Sequence, residues 1–196
     1  MSRRGIVIFW VFILTLAPIT TRAEEGVPNR LAVETLIDRV SDSHWIKNSF
    51  RMSQDRHHDA YVAQDGNRVA VVVDGRKGRD YDAILSGTPI FSNDGFSVAY
   101  AARKGARWFV VEDGKEGKRY DAILENSVTF SRGDIHLAYA ARSGNTSFVV
   151  LDGREGVQYG SGTFIEPESI VIDSSDSLHY LVIDDNNVYY VKEKID

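Results

Sequence analysis

The feature that most constrains this chain is a repeat of 39 residues that runs through most of its length. The segment from Phe91 to Leu124 reads FSNDGFSVAYAARKGARWFVVEDGKEGKRYDAIL, and the pattern starts again 39 residues later at Phe130. Upstream, residues 74–85 share their Asp-Gly and YDAIL elements with residues 113–124. A fixed period near forty residues is typical of repeat architectures, in which each copy must stack on its neighbours. The repeat alone therefore predicts a repeat architecture for this chain.

Two residue columns recur in the aligned copies. The tyrosine column contains Tyr61, Tyr100, Tyr139 and Tyr180. The Asp-Gly column contains Asp74-Gly75, Asp113-Gly114 and Asp152-Gly153. Tyr100 falls on one face of an alternating strand, so we interpret its column as packing between units rather than as an aromatic ligand platform. Glycine adopts positive φ without steric cost, so the Asp-Gly pairs predict the tips of β-hairpins.

Turn residues divide one unit of the repeat into four short strands. They are predicted at Thr88–Ser92, Ser97–Ala102, Arg107–Glu112 and Arg119–Leu124. Strands this short that are joined by tight turns must be antiparallel. Four-stranded units of about forty residues, repeated radially, are the blades of a β-propeller. The sequence therefore predicts an all-β fold, a small β-propeller of about four four-stranded blades.

One segment of the repeat resembles a known blade signature. Phe91-Ser92-Asn93-Asp94-Gly95, followed by Val98-Ala99-Tyr100, is similar to the F-S-P-D-G-x-x-(I/V)-A-(Y/F) signature of TolB-like, WD-related bacterial propellers. The resemblance covers most of residues 47–192. Asn93 stands where that family usually has proline, and the first copy keeps only Ser53 and Asp55. The resemblance implies a propeller in a bacterial cell envelope, but no single activity, since propellers include both binding proteins and enzymes.

The period also predicts how the repeat is closed. The units fall at about residues 47–85, 86–124, 125–165 and 166–196. The last unit lacks a fourth strand of its own, whereas residues 40–46 align by period with a fourth-strand position. We therefore expect this N-terminal strand to complete the last blade, which would also cover an open sheet edge. A partial ring that is completed in an oligomer is the alternative.

The segment before the repeat domain, which spans residues 40–196, has the features of a targeting sequence. Residues 1–23 combine Arg3-Arg4, an apolar run and a small residue at a cleavage position, so we interpret them as a signal peptide. The apolar run Ile6–Leu16 is shorter than the ~20 residues of a spanning helix, and an uncleaved anchor is the alternative. Residues 24–39 are predicted to form a linker and a short helix. We therefore expect an exported protein, periplasmic or secreted.

Charge and cysteine content exclude several classes of function. The formal charge is −5, and removal of residues 1–23 takes it to −8, since they contain three arginines and no acidic residue. Nucleic acids and anionic lipids bind basic surfaces, so neither is an expected partner, and no stable membrane insertion is expected after signal cleavage. The chain has no cysteine, so neither disulfides nor cysteine lipidation are available to it.

Residue types that support catalysis or metal binding form no recognisable constellation in the sequence. His57 and His58 are adjacent and point to opposite faces of a strand, so they cannot readily share a metal; neither metal nor cofactor is expected. Two acids flanking an axial cleft would indicate a glycan-acting hydrolase or lyase. The column expected on the innermost strands offers three hydroxyls and one acid: Ser53, Ser92, Ser131 and Asp173. We therefore expect no enzyme, with that hydrolase or lyase as the alternative.

The remaining candidates are charged residues at the two rims. The Asp-Gly hairpins mix acids and bases, which is typical of a solvated rim. The opposite rim is expected to carry Arg103, Lys104 and Arg142 near Asn126 and Ser127. This would be a positive arc in an acidic protein, which favours an anionic ligand or partner. The sequence therefore predicts a non-catalytic binding or scaffold module of the cell envelope, which contacts a protein or a polysaccharide through a rim.

Overall fold

The computed structural model describes residues 44–133, 136–174 and 176–194, which all belong to one compact unit, Ile37–Asp196. The predicted signal peptide, linker and short helix lie outside the described residues. Within the described ranges, antiparallel strands predominate, and no helix is both long and apolar enough to cross a membrane.

The described strands form four antiparallel sheets, named A to D in chain order. Sheet A contains β1 (His44–Trp45), β2 (Arg51–Met52), β3 (Asp59–Asp65), β4 (Arg68–Val73) and β5 (Arg76–Lys77). Sheet B contains β6 (Ala83–Ile84), β7 (Ile90–Phe91), β8 (Val98–Lys104), β9 (Arg107–Glu112) and β10 (Lys115–Glu116). Sheet C contains β11 (Ala122–Ile123), β12 (Thr129–Phe130), β13 (Leu137–Ser143), β14 (Thr146–Leu151) and β15 (Arg154–Glu155). Sheet D contains β16 (Thr163–Ile165), β17 (Val171–Ser174), β18 (Ser177–Asp184) and β19 (Asn187–Lys194).

All four sheets share one plan. The first long strand of each sheet pairs with the second long strand on one side and with two short strands, placed end to end, on the other. In sheet B, β6 pairs with Ala102 and Arg103 of β8, and β7 pairs with Val98 and Ala99. Short 3-10 helices connect the two short strands in sheets A and D, at Lys47–Ser49 and Pro167–Ser169. The repeat of the sequence is therefore a repeat of sheets.

The Asp-Gly pairs end the second long strand of sheets A, B and C. Asp113 and Gly114 have φ of +48° and +77°, and the flanking residues Glu112 and Lys115 pair across the turn. Positive φ at both central residues defines a type I′ turn, whose twist matches that of the two strands. Asp74-Gly75 and Asp152-Gly153 have the same geometry.

The sheets stack in chain order because each strand places large and small side chains on opposite faces. In β8, Val98, Tyr100 and Ala102 pack against sheet A, whereas Ala99 and Ala101 pack against sheet C. The four residues of the tyrosine column are between 0% and 5% exposed. Tyr100, Tyr139 and Tyr180 lie between successive sheets, whereas Tyr61 packs with Phe50 on the other face of sheet A. The core is a series of apolar layers, and the predicted all-β, propeller-like fold of repeated antiparallel sheets is confirmed.

The strand predicted at Arg119–Leu124 is divided between two sheets. Tyr120 forms a single bridge with Trp108 in sheet B. The next residues leave that sheet: the Asp121 N–H donates to a carbonyl of β13 at 2.9 Å, and β11 then pairs with β13 in sheet C. Each fourth strand therefore ties its own sheet to the following one by backbone hydrogen bonds.

The structure corrects the expected closure by residues 40–46, of which it describes the last three. His44 and Trp45 pair with Gln64 and Ala63 of sheet A, in the way that β6 pairs with β8 one period later. The strands β6 and β11 each join the sheet that follows them in the chain. The equivalent N-terminal strand, β1, therefore joins sheet A instead of completing sheet D. In the described part of the chain, the outer edge of β19 consequently has no partner strand.

Candidate functional site

Polar residues of the repeat collect at the two opposite ends of the long strands. The hairpins β3–β4, β8–β9 and β13–β14 turn at one end, which carries the residues named here the basic rim: Arg103, Lys104 and Arg142. The Asp-Gly hairpins lie at the other end, together with the turns that precede β3, β8 and β13. That other end is named the turn end and comprises residues 53–58, 92–97, 131–133 and 136, with Asp74, Asp113 and Asp152.

Arg103 is the most restrained member of the basic rim. It pairs with Trp108 across the β8–β9 hairpin, and its guanidinium carbon lies 5.8 Å from the centre of the Trp108 ring. The guanidinium also donates to the Gly105 carbonyl at 3.3 Å, and the side chain is half-buried. A guanidinium stacked on an indole keeps most of its donors directed outwards, which suits recognition of carboxylates.

Two further arginines at the same end are neutralised by aspartates of the fourth strands. Arg68 forms an ion pair with Asp82, and Arg107 forms one with Asp121 at 2.5 Å. The Gly105 N–H donates to Asp82 at 2.6 Å, which, with the nearby Arg68, holds the pKa of that carboxyl below its usual range. No ion pair within the described residues involves Arg103, Lys104 or Arg142, although the charge of Arg103 also helps to lower the pKa of Asp82.

Asn126, predicted beside the basic rim, lies along the sheet edge in the turn between β11 and β12. Its Nδ2 donates to Oε1 of Glu168 at 3.0 Å. A Cβ added at Gly87 would overlap the Asn126 side chain. Asn126 therefore links the equivalent turns of sheets B, C and D, and these contacts give it a structural role.

Serine and aspartate side chains build the turn end. Ser92 Oγ donates to Asp94 at 2.5 Å and accepts the Ser97 N–H at 3.0 Å. Ser53 and Asp55 repeat this arrangement, and the Ser53 hydroxyl and the His57 N–H lower the pKa of Asp55 to about 2. The serines expected on the innermost strands are buried and form these turns, so they offer no free nucleophile.

The Asp-Gly aspartates accept hydrogen bonds from the neighbouring strand. Asp113 Oδ1 accepts the Val98 N–H at 2.9 Å, and Oδ2 accepts the Ser97 hydroxyl at 3.0 Å. In sheet A, a histidine replaces that serine. His58 Nδ1 lies 2.8 Å from Asp74 Oδ2, and this hydrogen bond raises the pKa of His58.

Histidine–carboxylate contacts recur along the turn end, and each involves a different carboxylate. The pairs are His57 with Asp55, His58 with Asp74, His136 with Asp152 and His179 with Asp173. Within the described ranges, no three histidine, aspartate or glutamate side chains converge as metal ligands. The geometry is therefore that of separate hydrogen-bonded pairs.

Tyrosine pairs and glutamates recur between successive sheets. The rings meet edge to face in the pairs Tyr81–Tyr100, Tyr120–Tyr139 and Tyr159–Tyr180. The Tyr180 hydroxyl donates to Glu193 at 2.5 Å. Burial raises the pKa of Tyr139 to about 12, so this phenol stays neutral at physiological pH. The pairs pack and hydrogen-bond but supply no general base.

Glu112 is the acid with the most unusual surroundings in the described part of the chain. It is half-buried at the end of β9, and burial, followed by the charges of Asp113 and Asp152, raises its pKa. The negative charges of Asp113 and Asp152 therefore act on Glu112 at the turn end.

A column of hydroxyls that was not predicted from the sequence lies at the gap between the two short strands of each sheet. Ser127 Oγ donates to the Leu124 carbonyl at 2.7 Å and accepts the Ala140 N–H at 3.1 Å, at the gap between β11 and β12 along one edge of β13. The column contains Ser49, Thr88, Ser127 and Ser169. Its signal in the sequence is the 39-residue spacing of the first three members.

One small pocket of 190 Å³ opens between sheets C and D. Val149, Leu151 and Leu178 form its apolar wall, and Glu155 and Glu193 lie at its margin. Pockets that enclose small molecules usually exceed about 300 Å³. The arrangement therefore offers extended surfaces more readily than an enclosed ligand site.

Comparisons with known proteins assign neither a family nor a function to this chain. The chain matches no protein-family model and no curated protein. Among solved structures, it is similar to TolB from Acinetobacter baumannii, with 15% identity, a TM-score of 0.44, and coverage of 78% of this chain and 41% of TolB. A chain from a structural and mechanistic study of two prolyl endopeptidases gives 13% identity, a TM-score of 0.46, and coverage of 73% of this chain and 26% of that one. This chain thus spans less than half of each protein, and similarity at this level assigns no function.

Proposed function

We propose that this protein is an exported, non-catalytic binding or scaffold module of the cell envelope that contacts a protein or a polysaccharide through the basic rim. The observation that carries the proposal is Arg103, held over Trp108 next to Lys104, with no ion pair in the described residues. A restrained guanidinium loses little side-chain entropy on binding and can form two parallel hydrogen bonds with a carboxylate.

The chemistry of the rim indicates an acidic partner. Cations at Arg103, Lys104 and Arg142 suit an acidic protein segment or a carboxylated polysaccharide, whereas a net charge of −5 disfavours nucleic acid. The features of residues 1–23 support export. The F-S-x-D-G pattern at Phe91–Gly95 supports the TolB-like assignment, which belongs to the same proposal. We assign neither a metal nor a cofactor to this function.

The test uses the full chain, immobilised and presented with an envelope extract and, separately, with a carboxylated polysaccharide at two salt concentrations. Arg103→Glu/Arg142→Glu reverses two charges of the basic rim. Arg76→Glu/Arg132→Glu makes the same charge change on exposed side chains at the turn end and is the matched control.

The proposal expects that the wild type and the control retain one protein or the polysaccharide, and that the rim variant loses it. Retention should weaken at the higher salt concentration, because exposed charges are screened. Equal retention by the two double variants would remove the basic rim as the site. Retention of nothing by the wild type would remove the binding function itself.

Glu112 favours the alternative of a glycan-acting hydrolase or lyase. A half-buried carboxyl with a raised pKa, beside Asp113 and Asp152, is a suitable general acid. Envelope polysaccharides would be incubated with the wild type and assayed for new chain ends. Glu112→Gln should abolish cleavage, whereas Glu125→Gln, at an exposed position, should retain it. Absence of cleavage by the wild type would exclude this alternative for the substrates tested.

A further inference from the structure

The outer edge of β19 differs from the equivalent edge of the other three sheets, each of which is covered by a strand. In sheets A, B and C, the second long strand pairs on that side with β5, β10 or β15. The contact extends beyond these short strands, since Tyr120 exchanges two backbone hydrogen bonds with Trp108, at 2.7 and 3.0 Å. Residues 115–120, which cover the edge in sheet B, are named the covering segment. The same exchange recurs in the pairs Tyr81–Val69 and Tyr159–Ser147.

The register of sheet D identifies the backbone groups that stay open. Alignment on the tyrosine column places Val188 and Tyr190 of β19 in the positions of Trp108 and Val110 of β9. The Val110 carbonyl accepts the N–H of Gly117, in the covering segment, at 2.8 Å. In β19, the corresponding backbone groups point out of the sheet, and no strand pairs with them within the described ranges. An open strand edge is a template for a strand from another chain.

The side chains beside this edge are apolar and exposed. Val188, Tyr189 and Tyr190 are 63%, 49% and 63% exposed. Phe109, which holds the position of Tyr189 in sheet B, is 0% exposed, and the guanidinium of Arg119 in the covering segment lies 5.0 Å from its ring centre. The open edge therefore combines unpaired backbone groups with a run of three apolar side chains, the combination that favours addition of a strand.

We propose that an extended segment of a partner protein pairs with the outer edge of β19 and takes the place that the covering segment has in sheet B. The chain itself shows the chemistry of such an occupant, since three copies of it are seated on the equivalent edges. Backbone hydrogen bonds supply the affinity, and alternate side chains supply the specificity. An aromatic residue is expected opposite Val188, as Tyr120 lies opposite Trp108. This surface lies on sheet D and is separate from the basic rim.

Lys192 specifies the charge of the partner segment. Its counterpart in sheet B is Glu112, and Lys115 of the covering segment lies directly opposite Glu112. Because sheet D reverses the sign of this charge, the partner segment should carry an acidic residue in the place of Lys115. The Lys192 side chain is 61% exposed, and its ammonium lies 3.9 Å from Asp173, so it remains accessible. A lysine on an open edge disfavours strands of unmatched charge, which adds selectivity to the pairing.

A second copy of this chain has no equivalent segment to offer among its described residues. Its three covering segments already pair within their own sheets. The occupant is therefore assigned to a different protein, and self-association is an outcome that the test distinguishes.

The test titrates dye-labelled peptides with the full chain, up to about 500 µM, and follows fluorescence polarisation. One peptide has the sequence of residues 115–124, and the other carries Lys115→Glu. The wild type should bind the peptide with Lys115→Glu at least about threefold more tightly, because its acidic residue faces Lys192. The variant Lys192→Glu should reverse this preference. Lys47→Glu makes the same charge change at an exposed position in sheet A and should keep the preference of the wild type.

Substitution at Tyr190 tests whether the backbone edge is the binding element. Proline removes the outward N–H and is tolerated on an edge strand where that N–H faces solvent. Tyr190→Pro should weaken binding of the peptide with Lys115→Glu at least about tenfold, whereas Tyr190→Val, which keeps the N–H, should stay within about threefold of the wild type. Where Tyr190→Pro fails to fold by circular dichroism, the preference of Lys192→Glu decides.

Binding of neither peptide by the wild type overturns the proposal, as does an unchanged preference in Lys192→Glu or full binding by a folded Tyr190→Pro. Sedimentation equilibrium should find the wild type monomeric at the same concentrations. Self-association that Tyr190→Pro abolishes would assign the edge to a second copy and would also overturn the proposal. The variant Arg103→Glu/Arg142→Glu should bind the peptides like the wild type, so the result is independent of the basic rim.

Discussion

Asp113 provides the sharpest test of how the repeat is stabilised. It adopts φ of +48° at the tip of the β9–β10 hairpin, and its Oδ1 accepts the N–H of Val98, a residue that is 7% exposed. Two contributions therefore meet at one residue: a hydrogen bond to a buried donor and a backbone conformation that most side chains resist. Substitution by alanine, glycine and asparagine separates them.

The magnitudes follow from the two contributions. Leaving the Val98 N–H without an acceptor costs about 1–3 kcal/mol. The left-handed conformation costs a residue such as alanine about 1–2 kcal/mol, whereas glycine and asparagine tolerate it. Asp113→Ala should therefore lower the free energy of unfolding by about 2–5 kcal/mol, and Asp113→Gly by about 1–3 kcal/mol. Asp113→Asn keeps an acceptor oxygen and should cost less than about 1 kcal/mol.

The assay is thermal unfolding of the three variants. For a chain of this size, each kcal/mol shifts Tm by about 2–4 °C, so Asp113→Ala should lower Tm by about 4–20 °C. Asp65→Ala, at an exposed residue at the end of β3, should stay within about 0.5 kcal/mol of the wild type and is the control. Equal Tm values for the alanine and asparagine variants would refute both the hydrogen bond and the strain.

Three further predictions concern the columns of the repeat. Ser127→Ala, at a residue that is 0% exposed, should cost about 1–3 kcal/mol in chemical denaturation, whereas Ser143→Ala at an exposed position should cost under about 0.5 kcal/mol. Tyr180→Phe loses the hydrogen bond to Glu193 and should cost about 1.5–3 kcal/mol by the same assay, whereas Tyr190→Phe, at 63% exposure, should have no measurable effect. Because Asp74 raises the pKa of His58, protonated His58 should stabilise the fold below about pH 6.5, and this contribution should disappear as pH rises through the raised pKa. His58→Gln should remove that part of the pH dependence of unfolding, and an unchanged profile would contradict the pairing.

The strands and hairpins within each sheet are predicted well from the sequence. Both signals that define them, the alternation of side chains and the Asp-Gly turn, are local in the chain. Alternation in Val98–Ala102 fixes which side chains face each neighbouring sheet, and Asp113-Gly114 fixes the register of the hairpin. The same pattern leaves the partner of a fourth strand open. In Tyr120–Leu124, alternation defines the faces of the strand but not the edge against which it lies, and either neighbouring sheet satisfies the pattern. That ambiguity produced the expected closure by residues 40–46, which the pairing of His44 and Trp45 corrects.

The candidate site was harder to predict, because polar residues gain their roles from contacts across the fold. Arg103, Lys104 and Arg142 were identified by charge alone. The stacking of Arg103 on Trp108 depends on the register of the β8–β9 hairpin. Asn126 and Ser127 were placed beside them, yet Asn126 lies along the sheet edge and donates to Glu168. The structural role of Ser127 was missed, because a serine in a turn is ordinary until its donor and acceptor are known.

Polar residues that recur in every copy indicate what the fold requires. Residues that differ between copies indicate what the fold does not require. The recurring polar residues of this chain are used by the fold itself, as the Ser92 and Asp113 hydrogen bonds illustrate. The position of Arg103 holds Arg142 in sheet C but Gln64 in sheet A, so the fold does not require a cation there. The basic rim is therefore a local property of the two middle sheets, and a partner that recognises it should contact sheets B and C together. Single charge reversals at Arg103 and at Arg142 should then each weaken binding, and a partner lost with only one of them would contact a single hairpin.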